Sequence, residues 1–155
     1  LATIAVSRHT LNALSVEHLR RGSYRASSLR DDGRRFHSAL EPWLLHGESG
    51  LKVDPRLSAM VEGLKINLMC DSFDAIPGKV DILFLRNMMI YFPHESRRAL
   101  YRRVGEKLSP EGILVLGKSE VPFFESPSTV MIERDGVFFF VHRDSPFADF
   151  ARRLP

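Results

Sequence analysis

The chain has 155 residues, of which 44% are hydrophobic and 26% charged, with a formal charge of +3. That length suits one domain with a sizeable core, and the composition is that of a globular chain rather than a disordered or fibrous one. The single cysteine, Cys70, excludes an internal disulfide framework, and no run approaches the ~20 apolar residues of a membrane helix.

A reducing, cytoplasmic setting is the default for such a chain. The arginines are scattered (Arg20, Arg21, Arg25, Arg30, Arg34, Arg35, Arg97, Arg98, Arg102, Arg103) rather than gathered into a stripe with stacking aromatics. Solvated helix faces and acidic protein partners therefore fit the charge better than nucleic acid does. The six histidines show no metal-ligand spacing, so no metal site is expected.

Leu1 to Val6 is a short apolar run that reads as a buried strand. It opens the sequence at once, without a charged lead or cleavage pattern, so the chain reads as part of a longer domain. Ser7 can cap a helix whose apolar face is Leu11, Leu14, Val16 and Leu19, and Gly22 stops it. Residues 23–35 read as loop, and a short helix is expected around Arg34 to Leu40. Trp43 to Leu45 and Leu51 to Val53 flank a glycine-containing turn and predict a β-hairpin.

A helical turn follows at Leu57 to Met60, then a strand from Gly63 to Met69 and a turn at Pro77-Gly78. Val80 to Leu85, apolar except for Asp81, predicts an interior strand. Pro93 to Leu108 is the clearest helix, with Leu100, Val104 and Leu108 at four-residue spacing. Ser109-Pro110-Glu111-Gly112 ends it, and Ile113 to Leu116 reads as a buried strand. Thr129 to Ile132 and Val137 to His142 flank Arg134-Asp135-Gly136, a second hairpin. The tail, residues 144–155, is polar with isolated Phe147 and Phe150 and reads as partly disordered. Strand, helix, strand and hairpin together predict an α/β fold: a parallel sheet with an antiparallel edge and a small β-hairpin insertion at about residues 41–66. Ligands in such sheets bind at the carboxyl ends of strands, which directs attention to the residues after Leu85 and near Asn67.

Leu85-Arg86-Asn87-Met88-Met89-Ile90-Tyr91-Phe92 resembles the F-C-R-N-V-x-I-Y-F signature of CheR-type chemotaxis receptor methyltransferases. Ser109-Pro110-Glu111-Gly112 and Leu116-Gly117-Lys118-Ser119-Glu120 are similar to that family's L-K-P-G-G and L-G-H-S-E. Lys65-Ile66-Asn67-Leu68-Met69 resembles its V-x-N-L-L, and Arg21-Gly22-Ser23-Tyr24-Arg25 its R-x-G-x-Y. The resemblance spans residues 1–143, is specific from Val80 to Glu120, and before residue 60 rests on order and spacing.

The resemblance implies a partial Rossmann-like methyltransferase sheet, with S-adenosylmethionine as cofactor and chemoreceptor glutamates as methyl acceptors. Arg86 and Tyr91 then lie at the transfer site, Asn67 and Leu68 contact the adenosine part of the cofactor, and Asn87 shapes the turn beneath it. An arginine suits an acceptor carboxylate because its planar fork makes two charge-assisted hydrogen bonds. Read from the residues alone, Arg86 is equally a surface ion-pair partner, Asn67 and Asn87 turn-formers, and Tyr91 a half-buried core aromatic. The family's glycine-rich cofactor loop and helical amino-terminal domain have no counterpart in the sequence. The first strand ends Ile4-Ala5-Val6-Ser7, without the acid that holds the ribose. Two other readings therefore stay open: a catalytically inactive module that binds chemoreceptors or other signalling proteins through the hairpin around Trp43 to Val53, and a nonfunctional fragment.

Overall fold

The computed structural model describes residues 13–25, 37–47, 50–63, 66–69, 72–76 and 78–153. The strand expected at Leu1 to Val6, Ser7 and Cys70 lie outside the described residues. The chain divides into two compact units, Leu1–Ile66 and Asn67–Pro155.

In the first unit, helix α1 (Ala13–Arg21) stops where expected, at Gly22 with φ +60°. Ser23–Tyr24 forms a two-residue strand, β1, and His37–Leu40 a short helix, α2. The hairpin is present as β2 (Leu44–Gly47) and β3 (Gly50–Val53), paired antiparallel from Leu44↔Val53 to Gly47↔Gly50. β1 pairs with the other side of β3, giving a three-stranded sheet of order β1-β3-β2. The sequence reading placed Ser23 and Tyr24 in a loop, because two residues are too few to show a period of two. Helix α3 (Pro55–Ser58) is capped by Asp54, whose side chain accepts from the Arg56 backbone N–H at 2.7 Å.

The second unit is built on a four-stranded mixed sheet. Its strands are β4 (Val80–Leu85), β5 (Leu108–Leu116), β6 (Thr129–Arg134) and β7 (Val137–His142), in the order β4-β5-β7-β6. β4 and β5 are parallel and joined by helix α4 (His94–Lys107), which makes one βαβ crossover. β7 pairs antiparallel with β5, and β6 with β7. The α/β expectation with an antiparallel edge therefore holds. The β6–β7 hairpin turns at Asp135 and Gly136, both at positive φ (51° and 74°), as a two-residue turn matched to strand twist requires. Leu100, Tyr101 and Val104 of α4 are buried, as are Leu114, Leu116 and Phe140 of the sheet. An edge-to-face aromatic series from Tyr101 to Phe124 to Phe140, with centroids 4.9 and 4.5 Å apart, closes this core.

Four expectations need correction. No strand forms at the described residues between 63 and 69; Asn67 instead opens a turn, its Oδ1 accepting from the Met69 N–H at 3.0 Å. Ser109 to Gly112 do not separate α4 from β5 but belong to a nine-residue strand that starts as the helix ends. The described residues after 144 are ordered: helix α5 (Pro146–Arg153) packs on β7, with Ala148 fully buried. Phe147, Phe150 and Ala151 fall at helical spacing, but the segment is too short for that spacing to decide between a helix and a loose tail. Finally, β4 is an edge strand among the described residues, where its composition predicts an interior one; Ile82 and Phe84 on it are 55% and 68% exposed.

The contrast between buried and uncovered apolar residues is testable. Leu100→Ala, at a 1% exposed position, is expected to lower stability by about 2–5 kcal/mol. Phe84→Ser should cost under about 1 kcal/mol, because little surface there is removed from water. Chemical denaturation of both variants checks this, and a comparable loss from Phe84→Ser would show that β4 has a cover on that face.

Candidate functional site

The loop after β4 carries Arg86, Asn87 and, in the short 3₁₀ turn Met89–Tyr91, Tyr91. Arg86 is exposed and pairs with no acid among the described residues. Asn87 adopts φ +56°, a left-handed conformation that asparagine tolerates better than most residues. It reverses the chain at once after the strand, so that Met88, Met89 and Phe92 turn inward and are buried while Tyr91 stays 67% exposed. The half-buried core position considered for Tyr91 is thus not the one it occupies.

The turn is fixed by a residue outside the set that the sequence predicts for the site. Glu120 is 0% exposed. Its Oε1 accepts from the Met88 backbone N–H at 2.8 Å, and its Oε2 from the Ser119 hydroxyl at 3.1 Å. Its own backbone carbonyl accepts from the Tyr101 hydroxyl at 3.2 Å. Gly117 makes room for this: a Cβ there would collide with the Glu120 carboxyl group and lie 3.4 Å from Asn87 Oδ1. One buried side chain therefore ties the turn after β4 to the turn after β5 and to α4. The sequence signal was available in Leu116-Gly117-Lys118-Ser119-Glu120, a glycine followed by an acid at the end of a buried strand.

Asn67 and Leu68 are held elsewhere. The Leu68 carbonyl accepts from Arg103 Nη1 at 2.8 Å, and the Arg103 guanidinium lies 4.3 Å over the Phe73 ring. Arg103 is roughly 13 Å along α4 from its first residue, at 1.5 Å per residue. Arg86, Asn87 and Tyr91 thus share one turn, while Asn67 and Leu68 share another that is anchored on the crossover helix.

A cleft of about 610 Å³ lies between α4 and residues 122–129, and includes Arg97, Tyr101, Phe124 and Phe140. It contains none of the five sequence-predicted site residues. Arg97 is occupied there, donating to the Phe92 carbonyl at 2.6 Å and stacking 4.0 Å over Phe123. Among the described residues no group of three or more His, Cys, Asp or Glu side chains is placed to hold a metal ion. No described helix is long and apolar enough to cross a membrane.

The family described as CheR methyltransferase, SAM binding domain, matches residues 4–134. Chemotaxis protein methyltransferases are similar to the chain: that of Vibrio parahaemolyticus is 32% identical over 77% of it, and those of Salmonella typhimurium and Escherichia coli are 32% and 30% identical over 68%. The chain spans 42%, 36% and 37% of the length of these relatives. An O-methyltransferase family protein from Burkholderia thailandensis aligns with 76% of the chain and 41% of its own length, at a TM-score of 0.41 and 16% identity.

Burial and the neighbouring Glu120 charge push the Tyr101 hydroxyl up to about 12, with Arg97 opposing. Because the folded value lies above the ordinary one of 10.0, the stability tied to this proton is complete below pH 10 and is lost as pH rises through about 12. Tyr101→Phe, which forfeits the hydrogen bond to Glu120, is expected to cost about 1 kcal/mol at neutral pH. It should also remove the part of the alkaline destabilisation specific to Tyr101. Denaturation midpoints of both proteins between pH 8 and 12 test this; identical pH profiles would contradict the burial of that hydroxyl.

Proposed function

The chain belongs to the CheR methyltransferase family, as part of its SAM-binding domain, and we propose that it carries the acceptor-side half of a site transferring methyl groups from S-adenosylmethionine to glutamate side chains of chemoreceptors. The observation that carries this reading is the Arg86-Asn87 turn: an exposed guanidinium at the carboxyl end of a parallel strand, on a backbone fixed from below by a buried side chain.

The donor set fits the polar periphery of the cofactor and acceptor. Arg86 presents a fork suited to a carboxylate, Tyr91 an exposed hydroxyl, and Asn67 and Asn87 amides suited to the edges of a nucleoside. The cofactor supplies an electrophilic methyl group. The acceptor carboxylate is already a nucleophile, so the protein's task is to hold it in line and keep it there, and orientation is where most of the rate is gained. In this reading Arg86 grips the acceptor carboxylate and Tyr91 borders it, while Asn67, Leu68 and Asn87 border the cofactor. The chain spans about two fifths of the length of its chemotaxis relatives.

A second reading has its own observation. β2 pairs with β3 on one side only among the described residues, and Leu45 on it is 49% exposed. Such an edge accepts an extended peptide by strand addition, so this sheet would dock a receptor segment whether or not the chain transfers methyl groups.

Arg86→Lys separates the transfer role from the bland one. In the methyl-transferring protein that contains this domain, the variant is expected to lower the transfer rate about tenfold or more, since lysine keeps the charge but loses the planar fork. Stability should stay within about 0.5 kcal/mol, as for an exposed substitution. Radiolabelled methyl incorporation into a receptor fragment and thermal unfolding of the same preparation provide both numbers. Unchanged transfer would remove Arg86 from the site.

A further inference from the structure

We infer that Glu120 is a positioning residue for the Arg86-Asn87 turn, acting through the Met88 backbone N–H; the inference rests on the transfer reading for its function but not for its geometry. A carboxyl group is costly to bury, and a chain keeps one at 0% exposure where its hydrogen bonds compensate. Both oxygens of Glu120 are used as acceptors, one by the backbone of the turn after β4 and one by Ser119. Glu120 belongs to the turn after β5, so its bond to Met88 crosses between neighbouring parallel strands at their carboxyl ends.

The residue it holds is the one after the strained position. Asn87 at φ +56° is a conformation that persists only where its surroundings determine it. The Met88 N–H is the first backbone donor beyond Asn87, and fixing it fixes the direction in which Arg86 leaves the strand. Nothing in the chemistry of methyl transfer requires Glu120 to touch cofactor or acceptor, and its burial beneath the turn keeps it from doing so. Gly117 is the complementary half of the device, because any side chain there displaces the carboxyl group.

Two variants separate reach from charge. Glu120→Gln keeps a carbonyl acceptor at the same distance from Met88, whereas Glu120→Asp keeps the carboxyl chemistry but withdraws it by one methylene. Amide exchange on the isotopically labelled chain is the first readout. Met88 is expected to exchange at least tenfold faster in Glu120→Asp and within about threefold of the parent in Glu120→Gln, with Val115 and Val141 in the sheet as internal controls. Should Glu120→Asp fail to fold, Ser119→Ala removes only the exposed partner of Oε2 and is expected to speed Met88 exchange about threefold. Unchanged Met88 exchange in Glu120→Asp, or in Ser119→Ala where Glu120→Asp does not fold, with the controls intact, overturns the assignment whatever the activity.

The second readout is kinetic, in the methyl-transferring protein that contains this domain. Glu120→Asp should lower kcat about tenfold with little change in the KM for S-adenosylmethionine, and Glu120→Gln should restore most of it. Equal kcat in Glu120→Asp and parent overturns the positioning role. A parent protein that transfers no methyl group, but whose Met88 responds as stated, refutes the transfer reading and leaves the tie between Glu120 and the turn in place.

Discussion

The Glu120 carboxyl group, fully buried between the ends of two parallel strands, is the constraint on which the rest of the site depends. It requires glycine at position 117 and draws the Met88 N–H inward. With Met88 held, Asn87 stays in a left-handed conformation and Met89 and Phe92 are buried. The same residue's backbone carbonyl accepts from Tyr101, whose burial then raises its hydroxyl to about 12. A hydrogen bond to a buried charged group is worth more than an ordinary one, chiefly because leaving either partner unmatched is expensive. The exposed chemistry of Arg86 and Tyr91 is therefore supported from below by a buried side chain.

How much of this was legible in the sequence differs element by element. α4 and the β6–β7 hairpin showed clearly, because a four-residue spacing of Leu100 and Val104 and an Asp135-Gly136 turn are signals written in a few consecutive residues. β1 did not, being two residues long, and α5 did not, being short and at the end of the described chain. The strand predicted near Asn67 failed for a different reason. An apolar run there was read as extended, but the Asn67 side chain competes successfully for the Met69 N–H and makes a turn. The edge position of β4 was hidden because its composition is that of a strand with two neighbours, and composition reports what a strand can bury rather than what lies beside it.

The candidate site was legible in part. The motif around Leu85 to Phe92 located the turn, and the structure puts Arg86, Asn87 and Tyr91 together on it. Glu120 was passed over because an acid reads as a surface residue until its burial is known, and its partner is a backbone N–H thirty-two residues earlier in the chain. No local pattern announces such a pairing. Asn67 and Leu68 were joined to the same site by family resemblance, yet their turn is tied to α4 through Arg103. Their role is accordingly a separate question from that of Arg86. The volume of the cleft beside α4 is likewise no guide to the chemistry, since its arginine and aromatic lining is engaged in holding the helix to the sheet.

Under the proposed function the turns at Asn67–Met69 and Arg86–Met88 both border the cofactor and acceptor. Titrating S-adenosylhomocysteine to millimolar concentration into the isotopically labelled chain tests it most directly, because weak binding in fast exchange still reports which amides sense the ligand. Progressive shifts are expected, concentrated at Asn67, Leu68, Arg86, Asn87 and Met88, with the cleft between α4 and residues 122–129 unaffected. Shifts confined to that cleft, or none at any concentration reached, would contradict it.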